Sequence, residues 1–226
     1  MKYNNIVKGK FIERPNRFIA YVEVDGVIEK CHVKNTGRCK ELLIKGTTVY
    51  LEMADNPDRK TKYSLVSVQK GDILINIDSQ APNKVVKEWL ETNSKNWGIT
   101  LIKPEKTYNQ SRLDFYYETK DKKVYMEVKG VTLLDGDVAR FPDAPTERGI
   151  KHIEHLIELT KEGYETYIIF VIQCKGVKVF EPNDATHKAF GDVLRKAYQI
   201  GVNVVAYDCI VTKQCIEIDE VVRVEV

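Results

Sequence analysis

Arg112-Leu-Asp-Phe-Tyr-Tyr117 and Val124-Tyr-Met-Glu-Val-Lys129, separated by the polar run Glu118-Thr-Lys-Asp-Lys-Lys123, are the stretch on which the reading of this chain turns. The flanking runs are rich in aromatic and β-branched residues, and the segment between them suits a hairpin loop. With the turn centred between Lys120 and Asp121, Leu113 faces Val128, Asp114 faces Glu127 and Phe115 faces Met126. Alternation puts Leu113, Phe115, Tyr117, Val124, Met126 and Val128 on one apolar face, and Arg112, Asp114, Tyr116, Tyr125, Glu127 and Lys129 on the other. Two acids directly opposed, roughly 4.5–5.5 Å apart at Cβ, repel each other unless something positive lies between them. A divalent cation held by Asp114, Glu127 and a backbone carbonyl answers that need, and Mg²⁺ suits such oxygen donors.

Taken alone, the hairpin favours a second reading. Lys129 and Arg112 can neutralise the two acids on an ordinary charged surface. The residues that follow bear on the choice. Gly130-Val-Thr-Leu-Leu134 leads through Asp135-Gly-Asp-Val-Ala-Arg-Phe-Pro-Asp-Ala-Pro-Thr-Glu-Arg-Gly149 into a helical run from about Thr146 to Lys161. Ile150, Ile153, Ile157 and Thr160 recur at helical spacing and predict a buried stripe with Leu156 at its edge. Arg148, Lys151, His152 and His155 fall on the opposite side, a basic stripe able to steady a phosphate, or else a solvated face balanced by Glu147, Glu154 and Glu158. The two histidines lack a third His or Cys at matching spacing, which speaks against a histidine metal site.

Ser111-Arg-Leu-Asp-Phe115, Glu127-Val-Lys-Gly-Val-Thr-Leu133, and Phe141-Pro-Asp-Ala-Pro-Thr-Glu-Arg-Gly149 followed by Lys151-His152 together resemble the signature of the sugar fermentation stimulation protein A (SfsA) family. Further matches lie at Arg17-Phe18, Asn35-Thr-Gly-Arg38 and Ala81-Pro-Asn83, so the resemblance runs nearly end to end. It implies an N-terminal OB-like β-barrel, residues 1–82, and a C-terminal restriction-endonuclease-like domain of the PD-(D/E)XK type, residues 83–226, with a mixed sheet flanked by helices. By the same resemblance Asp114 matches the first metal-ligand acid, and Glu127 and Lys129 match the acid-x-lysine pair. One position departs from the pattern: Leu113 stands where the motif has proline. A third acid from the helix preceding the hairpin, Glu88, is a further candidate.

The N-terminal part reads on its own terms as a small barrel. Lys8–Arg14, Arg17–Val24, Val27–Val33, Thr47–Met53, Tyr63–Gln69 and Asp72–Ile77 are short β-rich runs separated by Pro-Asn, Asp-Gly, Asn-Thr-Gly, Asn-Pro-Asp and Lys-Gly-Asp breaks. Residues 1–83 carry 14 Lys and Arg against 10 Asp and Glu, whereas residues 84–226 carry 21 against 23, which puts the basic excess in the barrel although the whole chain is only +2. Lys8, Lys10, Arg14, Arg17, Arg38 and Lys40 are candidate phosphate contacts with Phe18 or Tyr21 nearby as stacking faces, although the two aromatics read more readily as core. A helix from about Asn83 to Thr92, capped by Asn83, joins the halves. Downstream, Thr166–Gln173 reads as a buried strand, Asp184–Gln199 as a helix ended by Gly201, Asn203–Tyr207 as a strand, and the remainder as strand-like. The whole is an α/β (α+β) fold.

Composition narrows the function classes. No apolar run approaches the ~20 residues of a membrane span, and Met1-Lys-Tyr-Asn-Asn is followed by no signal segment, so a cytoplasmic protein is expected. Five cysteines without Cys-x-x-Cys spacing read as reduced structural thiols. There is no Walker or dinucleotide glycine motif and no Gly-x-Ser-x-Gly. The expected function is DNA binding with Mg²⁺- or Mn²⁺-assisted phosphodiester hydrolysis by Asp114, Glu127 and Lys129, nucleic acid being held by Arg17, Arg38, Lys40, Arg148, Lys151 and His152. A DNA-binding regulatory protein whose nuclease fold is silent is the alternative, and a homodimer is an assembly open to either.

Overall fold

The computed structural model describes all residues except Thr36, Pro57 and Gln110 and the side chain of Ser111. Thr36 of the Asn35–Arg38 turn, Pro57 of the Asn-Pro-Asp break and the Ser111 side chain of the motif therefore lie outside the described residues.

Six strands build the first sheet: β1 (Ile6–Asn16), β2 (Ile19–Val24), β3 (Val27–Val33), β4 (Thr48–Met53), β5 (Tyr63–Lys70) and β6 (Ile73–Asn76). Their order is β3-β2-β1-β4-β5-β6, and a parallel pairing of Cys31–Val33 with Tyr63–Leu65 closes five of them into an OB-like barrel. The Asp25-Gly26 break does what its sequence asks. Both residues adopt positive φ, at 51° and 81°, so Val24 pairs with Val27 across a two-residue turn. Alternation along β2 sends Ala20, Val22 and Val24 into the barrel, where they meet Phe11, Cys31, Val49, Leu51 and Leu65.

Helix α1 (Ala81–Asn93) follows. It starts two residues before the expected cap: Gln80 occupies the N-cap, Pro82 lies in the first turn and the Asn83 side chain is used elsewhere. Nine strands form the second sheet: β7 (Ile99–Tyr108), β8 (Ser111–Thr119), β9 (Lys123–Val131), β10 (Leu133–Asp135), β11 (Val138–Phe141), β12 (Glu165–Ile172), β13 (Val179–Pro182), β14 (Asn203–Val211) and β15 (Ile216–Val224). The order is β10-β11-β13-β15-β14-β12-β9-β8-β7, with β9, β12 and β14 parallel at the centre, β8 and β15 antiparallel on either side of them, and β11, β13 and β15 parallel beyond.

β12 shows why the sheet needs helices on both faces. Ile168, Phe170 and Ile172 pack with Ile153, Leu156 and Leu159 of α2 (Glu147–Lys161) and with Leu194 of α3 (Asp184–Ile200). Ile169 and Val171, pointing the other way, pack with Val85, Val86 and Leu90 of α1. A continuous apolar run is what a strand buried on both faces requires. Gly201, at φ 106°, ends α3 in the left-handed conformation that glycine tolerates. The two sheets are joined at Gln173: its main-chain carbonyl accepts from Asn76 N at 2.9 Å, and its side-chain amide donates to Asn76 Oδ1 at 2.9 Å and Asp78 O at 3.1 Å.

Candidate metal centre and basic groove

The β8–β9 hairpin pairs Phe115 with Met126, Tyr116 with Tyr125, Tyr117 with Val124 and Glu118 with Lys123, the register that the turn predicts. Past Phe115 the ladder changes character. The Asp114 carboxylate itself accepts the Val128 N–H, at 2.8 Å, and its other oxygen accepts from Asn83 Nδ2 of α1 at 2.7 Å. This side chain thus lies in the gap between the strands, where a main-chain carbonyl would otherwise serve Val128. Face alternation breaks at the same place. Leu113 packs with the α2-side core and Phe115 with the α1-side core, instead of sharing one face.

Glu127 projects toward α2 and is only 2% exposed. Its Oε1 accepts from Lys129 Nζ at 2.5 Å and from His152 Nδ1. Its Oε2 is buried with no hydrogen-bond partner among the described residues. His152 in turn accepts from Arg148 Nε at 3.3 Å through Nε2, so its ring hydrogen sits on Nδ1. The expected basic stripe on α2 is corrected accordingly: Arg148 and Lys151 are exposed, but His152 is buried among the core residues of the helix. A buried carboxylate on the neighbouring strand draws it inward. Leu156 and Leu159 are fully buried and Ile150 only partly, which rotates the apolar stripe from its predicted position.

The two carboxyls are pushed in opposite directions. Burial raises Asp114 above the usual carboxylate range and the charge of Glu127 adds to this, against the Val128 N–H, Lys129 and Asn83. Burial would raise Glu127 too, but the His152 hydrogen bond and the Lys129 ammonium outweigh it and hold this carboxyl below its ordinary value. Hard oxygen donors, one of them orphaned and buried beside a second acid, fit a divalent cation. Among the described residues, the acidic group where three donors converge is elsewhere, at Asp208, Asp219 and Glu220, and the Lys175 ammonium fills it at 2.6–3.2 Å. Glu88 is not brought to the hairpin site; its carboxylate meets the Met1 amino group at 2.5 Å.

Arg17, Arg38 and Lys40 line one groove of about 390 Å³ on the barrel, joined there by Lys45. Arg14 borders it but is not free to contact phosphate. Its guanidinium donates to the carbonyls of Gly37, Arg38, Arg17 and Asn35 at 2.6–2.9 Å, tying the turn to β1. Phe18, expected in the core, is 54% exposed, with the Arg17 guanidinium 5.9 Å from its ring centre; Tyr21 is half-buried. Lys8 lines a different cavity and Lys10 bonds to Thr48. Gly37 also borders a polar slot of about 170 Å³ that contains Gly130, Arg140 and Asp143. A Cβ on Gly37 would lie 2.4 Å from Asp143 Oδ2, and one on Gly130 2.6 Å from both Gln173 Oε1 and Pro82 Cγ. A side chain at either position would have to displace Asp143 and Asn35, or Gln173 and Pro82, at the seam between barrel and sheet.

Residues 80–215 match the family model described as the sugar fermentation stimulation protein RE domain, and residues 12–77 match the SfsA N-terminal OB domain. This chain belongs to the SfsA family. SfsA relatives include the sugar fermentation stimulation protein homologs of Clostridium beijerinckii, 61% identical over 99% of each chain, and of Ruminiclostridium cellulolyticum, 59% identical over the same share. Among solved structures, that of Pyrococcus furiosus SfsA in complex with Ca²⁺ superposes with a TM-score of 0.90 at 27% identity, covering 100% of this chain and 98% of the other. No helix among the described residues is long and apolar enough to cross a membrane.

Proposed function

We propose that this SfsA protein binds DNA and hydrolyses its phosphodiester bonds with the help of Mg²⁺ or Mn²⁺, in the cytoplasm, using a barrel unit through residue 82 for grip and a nuclease-like unit from residue 83 for chemistry. The observation that carries the reading is the buried Glu127 Oε2, left without a partner beside the buried Asp114. The Ca²⁺ named for the Pyrococcus furiosus relative supports a divalent cation in a fold of this kind. Asp114 and Glu127 would hold the ion. When bound, such an ion would polarise the phosphoryl oxygen and lower the pKa of a bound water.

The chain's own groups do the rest. Asn83 and the Val128 N–H fix the Asp114 carboxylate, and His152 fixes Glu127. Lys129, 15% exposed at its side chain, places its ammonium where charge develops on the phosphoryl group. Arg17, Arg38 and Lys40 hold the strand's phosphates along the barrel groove, with Phe18 as a stacking face. Arg148 and Lys151, exposed on α2, contact the strand nearer the carboxylates.

One feature favours the silent reading: the Lys129 ammonium is occupied by Glu127 at 2.5 Å. A DNA-binding regulator with this fold retains the acids without turnover. Incubation of the purified protein with single-stranded and duplex DNA plus Mg²⁺ or Mn²⁺ tests the choice. Cleavage that is lost in Glu127→Ala supports hydrolysis. Salt-dependent DNA retention without any nicking, unchanged in Asp114→Ala, selects the regulator instead.

A further inference from the structure

On the α1 face of the large sheet, toward the turn of the β8–β9 hairpin, lies a cavity of about 450 Å³. That volume is in the ~300–1,000 Å³ range of small-molecule sites. α1 stops at Asn93 and leaves the starts of β9, β12 and β14 uncovered there. Trp89 on α1 and Trp97 just beyond it form one wall; Tyr117, Tyr167 and Tyr207 rise from the strands opposite. Trp89 is already in edge contact with Trp97 (4.6 Å, 73°) and tilted against Tyr207 (5.1 Å), which fixes the wall, while Trp97 stays 43% exposed.

The polar groups narrow the ligand. Tyr117 and Tyr207 make no hydrogen bond through their hydroxyls among the described residues, and burial keeps both phenols protonated, Tyr117 being pushed up to about 12. Both are free O–H donors. Glu165 is not a free charge, since Tyr167 donates to one of its oxygens and the Lys122 ammonium sits on the other, each at 2.7 Å. An aromatic cage for quaternary ammonium draws on the ring faces alone, but the exposed Lys122 ammonium at the rim disfavours a second cation there. Lys122, 62% exposed at the rim, keeps ammonium hydrogens for an anionic group. Flat π-faces, two phenol hydroxyls without a partner among the described residues and a cation at the mouth match a planar heteroaromatic ring with acceptor atoms and an attached phosphate.

We propose that this aromatic box binds a nucleotide, with the base against the wall that Trp89, Trp97 and Tyr207 form and the phosphate at Lys122. The site is separate from the metal centre and independent of whether that centre cleaves. Trp89 and Trp97 are the only tryptophans in the chain, so intrinsic fluorescence reports on this cavity directly.

Titration of the full-length protein with AMP, GMP, CMP and UMP is expected to quench that fluorescence saturably for at least one of them, with ribose 5-phosphate silent. Lys122→Ala should bring the nucleotide down to the affinity of its nucleoside. Tyr207→Phe should weaken binding about fivefold, and Trp97→Ala about tenfold or more, with Trp89 still reporting. Asp114→Asn should bind as wild type, which keeps the outcome apart from that of the metal site. A short single-stranded oligonucleotide distinguishes the source: tighter binding than the mononucleotide assigns the base to a strand, weaker binding to a free nucleotide. The proposal is overturned if neither mononucleotide nor oligonucleotide gives a saturable change at millimolar concentration. It is equally overturned if ribose 5-phosphate matches the nucleotides, or if the Lys122 and Tyr207 variants bind unchanged while melting at the wild-type temperature.

Discussion

Replacing His152 with alanine removes the donor that faces the buried Glu127 carboxylate and leaves Lys129 as its remaining hydrogen-bond partner. Glu127 is 2% and His152 6% exposed, so water does not readily take over. A hydrogen bond to a buried charge is worth roughly 1.5–3 kcal/mol, and breaking one side of a buried charged contact costs about 3–5 kcal/mol. A loss of about 3 kcal/mol in urea unfolding at neutral pH is expected.

The pH dependence gives that number a signature. The folded carboxyl of Glu127 is held below its unfolded value, so its stabilisation is complete above the ordinary carboxylate range and is lost as pH falls through the depressed folded value. Without His152 the depression shrinks. The destabilisation of the variant should therefore be largest at pH ~7 and shrink on acidification to pH ~4 and below. Calorimetric titration with Mn²⁺ or Ca²⁺ should show affinity about 10- to 100-fold weaker, the usual effect of losing a partner that orients a ligand. His152→Asn, whose amide N–H lies near the position of Nδ1, should recover much of both losses. A destabilisation that is the same at both pH values, with cation affinity unchanged or with Asn no better than Ala, would refute the orienting role of His152.

Two further outcomes follow from the same structure. Arg14→Ala removes four charge-assisted bonds to main-chain carbonyls and should cost about 2–4 kcal/mol in urea unfolding. Retention of single-stranded DNA at low salt should fall with it as the Gly37–Arg38 turn loosens, and Arg14→Lys should not rescue either, because an ammonium cannot span the fork. Among the cysteines, burial pushes Cys39 up to about 11, Cys31 and Cys174 to about 12, and raises Cys209 as well, while Cys215 is only partly buried. Thiol titration of the native protein at mildly alkaline pH should modify Cys215 first and reach the other four after unfolding.

How much of this was legible in the sequence depends on the range of the forces involved. The hairpin register followed from a turn and its flanking alternation, both local, and so did the Asp25-Gly26 turn that starts β3. β7 was missed because Lys103, Pro104, Glu105 and Lys106 carry no buried alternation; as an edge strand it borrows its order from β8. Arg14 was misread as a phosphate contact because its partners are carbonyls up to 24 residues away, which no side-chain pattern records. Phe18, which as a large apolar residue suits the core, sits between β1 and β2 and is 54% exposed. His152 illustrates the general case. Helical periodicity sorts residues by face, but it cannot say that a buried acid on another element requires a donor, and that requirement decided which face His152 took.

The opposite displacements of Asp114 and Glu127 bear on what the site is built to do. Two acids that merely shared a charged surface would both be relieved by solvent and nearby lysines, and burial would not displace either carboxyl. Here one is stabilised as a carboxylate by His152 and Lys129 before any ligand arrives, and the other is destabilised as a carboxylate by burial and by its neighbour. The remaining unfavourable energy is concentrated on Asp114 and on the orphaned Glu127 oxygen. A divalent ion relieves both at once, whereas a further lysine placed on one oxygen would leave the other acid unrelieved. The geometry therefore favours cation binding on grounds that do not depend on whether the bound ion goes on to assist hydrolysis.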